Sequence, residues 1–314
     1  MSRDAGETRE PALPRPLSPQ RLGAIRKRLL QWYVEHEQPF PWRTAADPYA
    51  ALVAAVCAQQ TQMSRVLHIY DRWMAAFPTI RDLAAASDAD ALRVWDRAGY
   101  PRRALFLHQT ARIVCQRYGG SLPGSRDELL ALPGVGPFTA AIVLSFGFGI
   151  DAAAIDTNIV RVLGRVLFGD LQPIRDTPAA QIRWAAERLL PDNQAQRWNP
   201  ALMDFGAAVC ASRPKCSQCP LATLCAAFPR FAGGEQARAG RTQPAFRGSH
   251  RELRGLVVSQ LRTSEEPLDP TVVIGRVARS ASVKQSRVTL ALDSLIEDGL
   301  VHMCSDKLCL GSGD

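Results

Sequence analysis

Two groups of residues have the types and spacing to do chemistry. The first is Leu132-Pro-Gly-Val-Gly136, followed by Pro137 and, twenty residues after Gly136, by a lone carboxylate, Asp156. Glycine accepts backbone angles that other residues resist, so this run can close one helix, turn tightly and open another. Pro137 suits the first position of the second helix, where a missing N–H costs nothing. Beyond Gly134, the amides of Val135 and Gly136 and the helix N-terminus are expected to face a phosphate or another anion. Asp156 stands in the otherwise uncharged run Ala152–Val160, with Asn158 and Arg161 close behind. Taken singly, the turn could be an interhelical connection and the aspartate a helix cap. Together they read as a backbone grip for an anion with an acid one helix further on.

The second group is a cysteine quartet. Cys210, Cys216, Cys219 and Cys225 lie within sixteen residues as C-x5-C-x2-C-x5-C. Zinc and an iron–sulfur cluster each take four thiolates, so both are chemically open. The paired spacing typical of zinc is absent, because only Cys216 and Cys219 form a C-x2-C pair. The remaining cysteines, Cys57, Cys115, Cys304 and Cys309, sit in apolar settings and read as packing residues.

The elements that must position these groups are helical. Ser18-Pro19 reads as a cap and first turn for a helix through His36, with Leu22, Ile25, Leu29 and Leu30 at helical spacing. Further helices are expected over 49–77 (with a break near 61–63), 80–87, 89–98, 102–118, 126–132, 140–148, 158–167, 177–190 and 200–210. Strand-like alternation is almost absent before residue 250, which makes this an all-α domain. Residues 1–20 are polar and proline-rich and read as a disordered leader; residues 229–249 read as a linker. Beyond lie helices at 251–261, 270–278 and 283–298 and a small hairpin at 300–303 and 307–310. Three helices plus a wing resembles a winged helix over 250–312, whose third helix would carry Lys284, Gln285 and Arg287 outward.

The 314 residues carry 38 Lys and Arg against 30 Asp and Glu, a net charge of +8 with pI near 9.3. A polyanionic partner fits that balance. No secretory signal opens the chain, and the apolar run Ala140–Ile150 is too short to span a bilayer. Clustered thiols suit a reducing cytoplasm, and nucleoid association is expected there.

At the hairpin, Asp156 and the quartet, residues 22–228 resemble the helix–hairpin–helix and Gly/Pro–Asp (HhH-GPD) DNA glycosylases, the group that includes endonuclease III and the MutY adenine glycosylases. The resemblance implies two helical lobes with a DNA cleft between them over 21–228. It implies a 4Fe–4S cluster on the quartet, although the family's first gap usually holds six residues and here holds five. The cluster loop would present Arg213 and Lys215 to phosphates, alongside Gly134, Val135 and Gly136 of the hairpin. The implied partner is duplex DNA with a damaged or mismatched base, bound by a monomer. Asp156 would stabilise the sugar cation that forms as the glycosidic bond lengthens, or activate water. Pro48–Gln62 is similar to the MutY pocket helix, with Gln59 and Gln60 meeting base edges or filling the vacated stack. Pro41-Trp42-Arg43, Ala98-Gly99-Tyr100 with Arg103-Ala104, and Met203-Asp204-Phe205-Gly206 are also MutY-like.

Three departures alter what the resemblance implies. Ala55 stands where MutY enzymes have the glutamate that protonates adenine, and Phe138 where endonuclease III has its lysine nucleophile. Pro101 replaces the second tyrosine of the MutY wedge. Without an amine no Schiff base forms, which argues against strand-cleaving lyase chemistry. Without an acid at 55, adenine departure loses assistance usually worth about 10²–10⁴-fold. The expectation is a monofunctional N-glycosylase acting on a base that leaves readily. The alternatives are true adenine excision and a DNA-binding protein that has lost catalysis.

Overall fold

A computed structural model describes residues 11–59, 61–237 and 245–313. Residues 1–10 of the expected leader, Gln60 and residues 238–244 of the expected linker lie outside the described residues. The helices are α1 (Pro19–His36), α2 (Pro48–Ala58), α3 (Met63–Ala76), α4 (Ile80–Ala85), α5 (Asp88–Trp95), α6 (Arg102–Tyr118), α7 (Arg126–Leu130), α8 (Pro137–Ile142), α9 (Thr157–Leu163), α10 (Pro173–Asp176), α11 (Ala179–Leu189), α12 (Ala195–Ala208), α13 (Phe228–Ala232), α14 (His250–Arg262), α15 (Pro270–Ala281) and α16 (Gln285–Glu297). A two-stranded antiparallel hairpin, β1 (Val301–Cys304) and β2 (Lys307–Leu310), follows. Helices α8 and α9 run on as single π turns, Val143–Gly147 and Gly164–Phe168. Sequence periodicity cannot show such widened turns, since they add only one residue to a helical repeat.

Contacts divide the chain into two units. The first joins Met1–Ala51 to Gly136–Gly240. Its core is built from Leu22, Ile25, Leu29 and Tyr33 of α1, Ile159 and Val162 of α9, and Trp198, Leu202 and Phe205 of α12. Each fully buried side chain of this kind contributes about 1.5–3 kcal/mol. Ser18 accepts from the Arg21 amide and Pro19 opens the first turn, as expected from sequence. Leu13 and Leu17, inside the expected leader, pack against this core. Helix α12 begins five residues before the expected Pro200, which sits inside it. A proline reads as a helix start in sequence, but buried Trp198 and Asn199 fix the earlier turn here.

The second unit joins Leu52–Val135 to Arg241–Asp314. Trp73 and Trp95 meet edge to face at 5.5 Å, and Trp73 meets Phe77 in the same way at 5.1 Å. Reciprocal capping boxes, Thr79 with Asp82 and Ser87 with Asp90, start α4 and α5. Helices α14 to α16 bury Leu253, Val257, Val273, Val277, Val288 and Leu295. They join the rest of the unit through Arg262–Asp96 at 2.8 Å and Arg102–Asp298 at 3.0 Å. Cys304 and Cys309 are joined as a disulfide, which corrects their reading as packing thiols. The hairpin register brings them together across the turn, a proximity that burial patterning alone does not reveal.

Candidate active site

Asp156 is the N-cap of α9. Its Oδ1 accepts the Ile159 amide at 2.7 Å and its Oδ2 accepts the Asn158 side-chain amide at 2.9 Å. Asn158 is held in turn by Arg161, which donates to its Oδ1 at 2.6 Å and to the Gly206 carbonyl at 2.6 Å. Gly206 has a packing reason to be glycine, since a Cβ there would lie 2.7 Å from the Asn158 Cβ. The loop leading to Asp156 is braced by buried Asn199, which accepts from the Ala154 amide and donates to the Ala152 carbonyl. Asn158 and the loop before Asp156 are therefore each held by further hydrogen bonds.

Two opposed effects act on the Asp156 carboxyl. Burial raises its carboxyl above the ordinary aspartate value, against the lowering effects of the Ile159 and Asn158 donors and of Arg161.

The cysteine quartet connects to the same helix. Arg161 Nε donates to the Cys210 carbonyl at 2.7 Å. One turn on, Arg165, only 2% exposed, donates to the carbonyls of Cys210, Ala211 and Ser212 and meets Cys210 Sγ at 3.6 Å. The i, i+4 spacing of these two arginines was a sequence signal that the reading above did not use. Cys210, Cys216, Cys219 and Cys225 line one cavity with Arg165 and Phe231. Burial pushes the free thiols of Cys219 and Cys225 up, to about 12 and about 11. Such thiols release their protons to a metal rather than to water. Four thiolates around one small cavity are a donor set that zinc and an iron–sulfur cluster could each use. Arg213 and Lys215 lie exposed on this loop.

The hairpin departs from expectation at one amide. Gly134 is left-handed (φ +71°), and a Cβ on it would meet Phe106 at 2.7 Å, so glycine is required twice over. The Val135 amide is not free: it donates to the Leu132 carbonyl at 3.2 Å, because the turn closes on itself. Gly136 caps α8 with an ordinary φ of −92°, and a Cβ there would meet nothing within 4 Å. Its glycine leaves open space above the first turn of α8. Phe138 is half-buried on that turn.

In the second unit, Ala55 is 3% exposed on a helix buried on every face from Tyr49 to Cys57. Gln59 is half-buried at the helix end, and Gln60 lies outside the described residues. Arg103, 7% exposed, was grouped from sequence with Ala98-Gly99-Tyr100 but given no role: its guanidinium donates to the carbonyls of Val56 (2.9 Å), Gln59 (2.8 Å) and Gly99 (3.0 Å). It thus ties the end of α2 to the Gly99-Tyr100 turn. Tyr100 is 51% exposed with φ +48°, a strained backbone for a non-glycine residue.

Residues 53–186 match the model of the HhH-GPD superfamily of base excision DNA repair proteins. The chain is 36% identical over 282 residues to an adenine DNA glycosylase of Mycolicibacterium smegmatis, covering 88% of this chain and 92% of that protein. It is 33% identical over 205 residues to a thymine/uracil-DNA glycosylase of Methanothermobacter thermautotrophicus, covering 64% of this chain and 92% of that one. The structure of a thermostable thymine-DNA glycosylase superposes with a TM-score of 0.63 at 31% identity, covering 67% of this chain and 98% of that one.

Proposed function

The chain belongs to the HhH-GPD superfamily of base excision DNA repair proteins and is a DNA N-glycosylase, and on that premise we propose that it hydrolyses the bond to a readily departing base without cutting the strand. The substrate class is uracil, thymine or an oxidised pyrimidine, or a base made cationic by alkylation, flipped from duplex DNA by a monomer of this protein. The observation that carries the reading is the rigidly held Asp156 together with a bare methyl at Ala55. Asp156 stabilises the oxocarbenium-like sugar, or takes a proton from the attacking water, while Asn158 and the Ile159 amide hold its oxygens in place. Nothing at position 55 can protonate a leaving base, and Phe138 offers no amine for a covalent intermediate. Gly136 gives DNA backbone close access to the first turn of α8, exposed Tyr100 and Gln59 serve the vacated stack, and Arg213 and Lys215 meet phosphates.

The Cys210, Cys216, Cys219 and Cys225 quartet holds a 4Fe–4S cluster in this reading. When bound, the cluster supplies a cross-link that fixes the loop carrying Arg213 and Lys215. Iron at about four per chain, with no stoichiometric zinc at the quartet, is the expected metal content.

Adenine excision is the second reading, favoured by the 36% identical mycobacterial adenine glycosylase. It requires an acid or water relay from elsewhere than position 55. A panel of duplexes, each carrying one altered or mismatched base, separates the two when alkali-sensitive abasic sites are scored. Release of pyrimidine or alkylated bases that Asp156→Asn abolishes supports the proposal. Release of adenine alone replaces the substrate assignment and keeps the enzyme class. Unchanged duplex binding with no release from any member would leave a DNA-binding protein.

A further inference from the structure

The disulfide of Cys304 and Cys309 has a third neighbour. His302 pairs with Cys309 across the hairpin and lies two residues before Cys304 on β1, so all three side chains share one face. Each is half-buried, and His302 Nε2, Cys304 Sγ and Cys309 Sγ all lie within 4.8 Å of one another. His302 Nε2 is 3.0 Å from Cys304 Sγ, and its Nδ1 is 2.9 Å from the Gly311 carbonyl. A carbonyl can only accept, so Nδ1 carries the proton and Nε2 presents its lone pair to the sulfurs. That is the tautomer and backbone support found behind metal-binding histidines.

We propose that the reduced hairpin is a metal site, with the Cys304 and Cys309 thiolates and His302 Nε2 taking one zinc ion and water completing the tetrahedron. Two thiolates and an imidazole suit a thiophilic d¹⁰ cation. Opening the site needs a two-electron reduction: two equivalents of a thiol reductant give two cysteine thiols and the reductant's disulfide, and zinc then displaces both thiol protons. The site braces the end of the chain. Gly311, fixed by His302, precedes Ser312, whose amide and hydroxyl both donate to Asp88 at the start of α5. Gly311 has φ +99°, and a Cβ there would lie 2.9 Å from the Asp88 Cβ, so this contact has little room to shift. None of this depends on which base the enzyme removes.

The test uses full-length protein, reduced and freed of reductant, then given zinc and desalted. Iron and zinc are counted together, and alkylation of Cys304 and Cys309 is followed by mass spectrometry. The proposal expects about one zinc per chain beyond the quartet's metal, and alkylation of both cysteines slowed about tenfold or more by zinc. It expects the Cys304→Ser/Cys309→Ser variant to lose that zinc with iron unchanged, and His302→Gln to bind it at least tenfold more weakly. Equal zinc in the wild type and the double variant would overturn it, as would alkylation indifferent to zinc in the wild type. The alkylation readout needs no variant to fold. Zinc that leaves both cysteines reactive would point to a purely redox-active pair and end the metal assignment.

Discussion

Asp156 and Asp88 both stand at a helix start, each accepting more than one hydrogen bond, yet their surroundings act in opposite directions. Asp88 is bonded by His108 Nδ1 at 2.5 Å and by Ser312, and these donors hold its carboxyl well down, at about 2. Asp156 has comparable donors, but burial outweighs them and raises its carboxyl. Ionised Asp88 therefore stabilises the fold of its unit, whereas ionised Asp156 opposes folding. A carboxylate held where its charge is costly has a reason other than stability to be there, and the proposed catalysis supplies one.

The comparison breaks first at the reaction. Asp156→Asn keeps the N-cap, because asparagine caps as well as aspartate, and it keeps an acceptor for the Ile159 amide. Base release on the best duplex of the panel is expected to fall by about 10²–10³-fold or more, with duplex affinity within a few-fold of wild type. Loss of affinity in step with rate would mean that Asp156 serves DNA binding rather than the reaction. Gly206→Ala tests the support beneath it. The added methyl would displace Asn158, leaving Asp156 intact but mispositioned, for an expected loss of about 10- to 10²-fold in single-turnover rate. A rate unchanged by this methyl would show that Asn158 does not orient the carboxylate.

The hairpin, Asp156, the quartet and most helices were legible because they are local: turn glycines, caps, thiol spacing and a 3.6-residue period are written in consecutive residues. Helix α6 runs over the expected span, Arg102–Tyr118. What stayed hidden depends on distant partners. Arg103 donates to the carbonyls of Val56 and Gln59 at the end of α2, and its own sequence neighbourhood gives no sign of them. Desolvation of Asp156 is likewise a sum over whatever packs around it, which consecutive residues do not record. The Cys304–Cys309 bond rests on the register of a two-residue hairpin turn, which alternation alone leaves open.

Asp88 gives the next largest effect, on stability rather than rate. Asp88→Asn removes the carboxylate bonded to His108 Nδ1 and weakens the hold on Ser312. The expected cost is about 1–2 kcal/mol at neutral pH, once solvent screening of a partly accessible group is allowed for. Its pH dependence follows from the lowered carboxyl. The contribution is complete above the unfolded value near pH 4 and disappears as pH falls towards about 2. Urea unfolding of wild type and variant should therefore differ at pH 7 and converge in acid. A difference that persists at pH 2 would assign the loss to packing rather than to charge.

Asp156→Asn should show the opposite dependence, and the smaller effect. A raised carboxyl binds its proton more tightly folded than unfolded, so the stability it contributes is present below about pH 4 and lost as pH rises through the folded value. Asparagine carries no charge at any pH and so escapes that loss. Thermal unfolding should place the two proteins together in acid, with the variant equal to or more stable than wild type at neutral pH. The same protein would then be catalytically dead and no less stable, the combination expected when the carboxylate's charge serves the reaction rather than the fold. A variant less stable than wild type at pH 7 would mean that the Ile159 and Asn158 donors outweigh burial after all. The contrast with Asp88 would then collapse to one of degree.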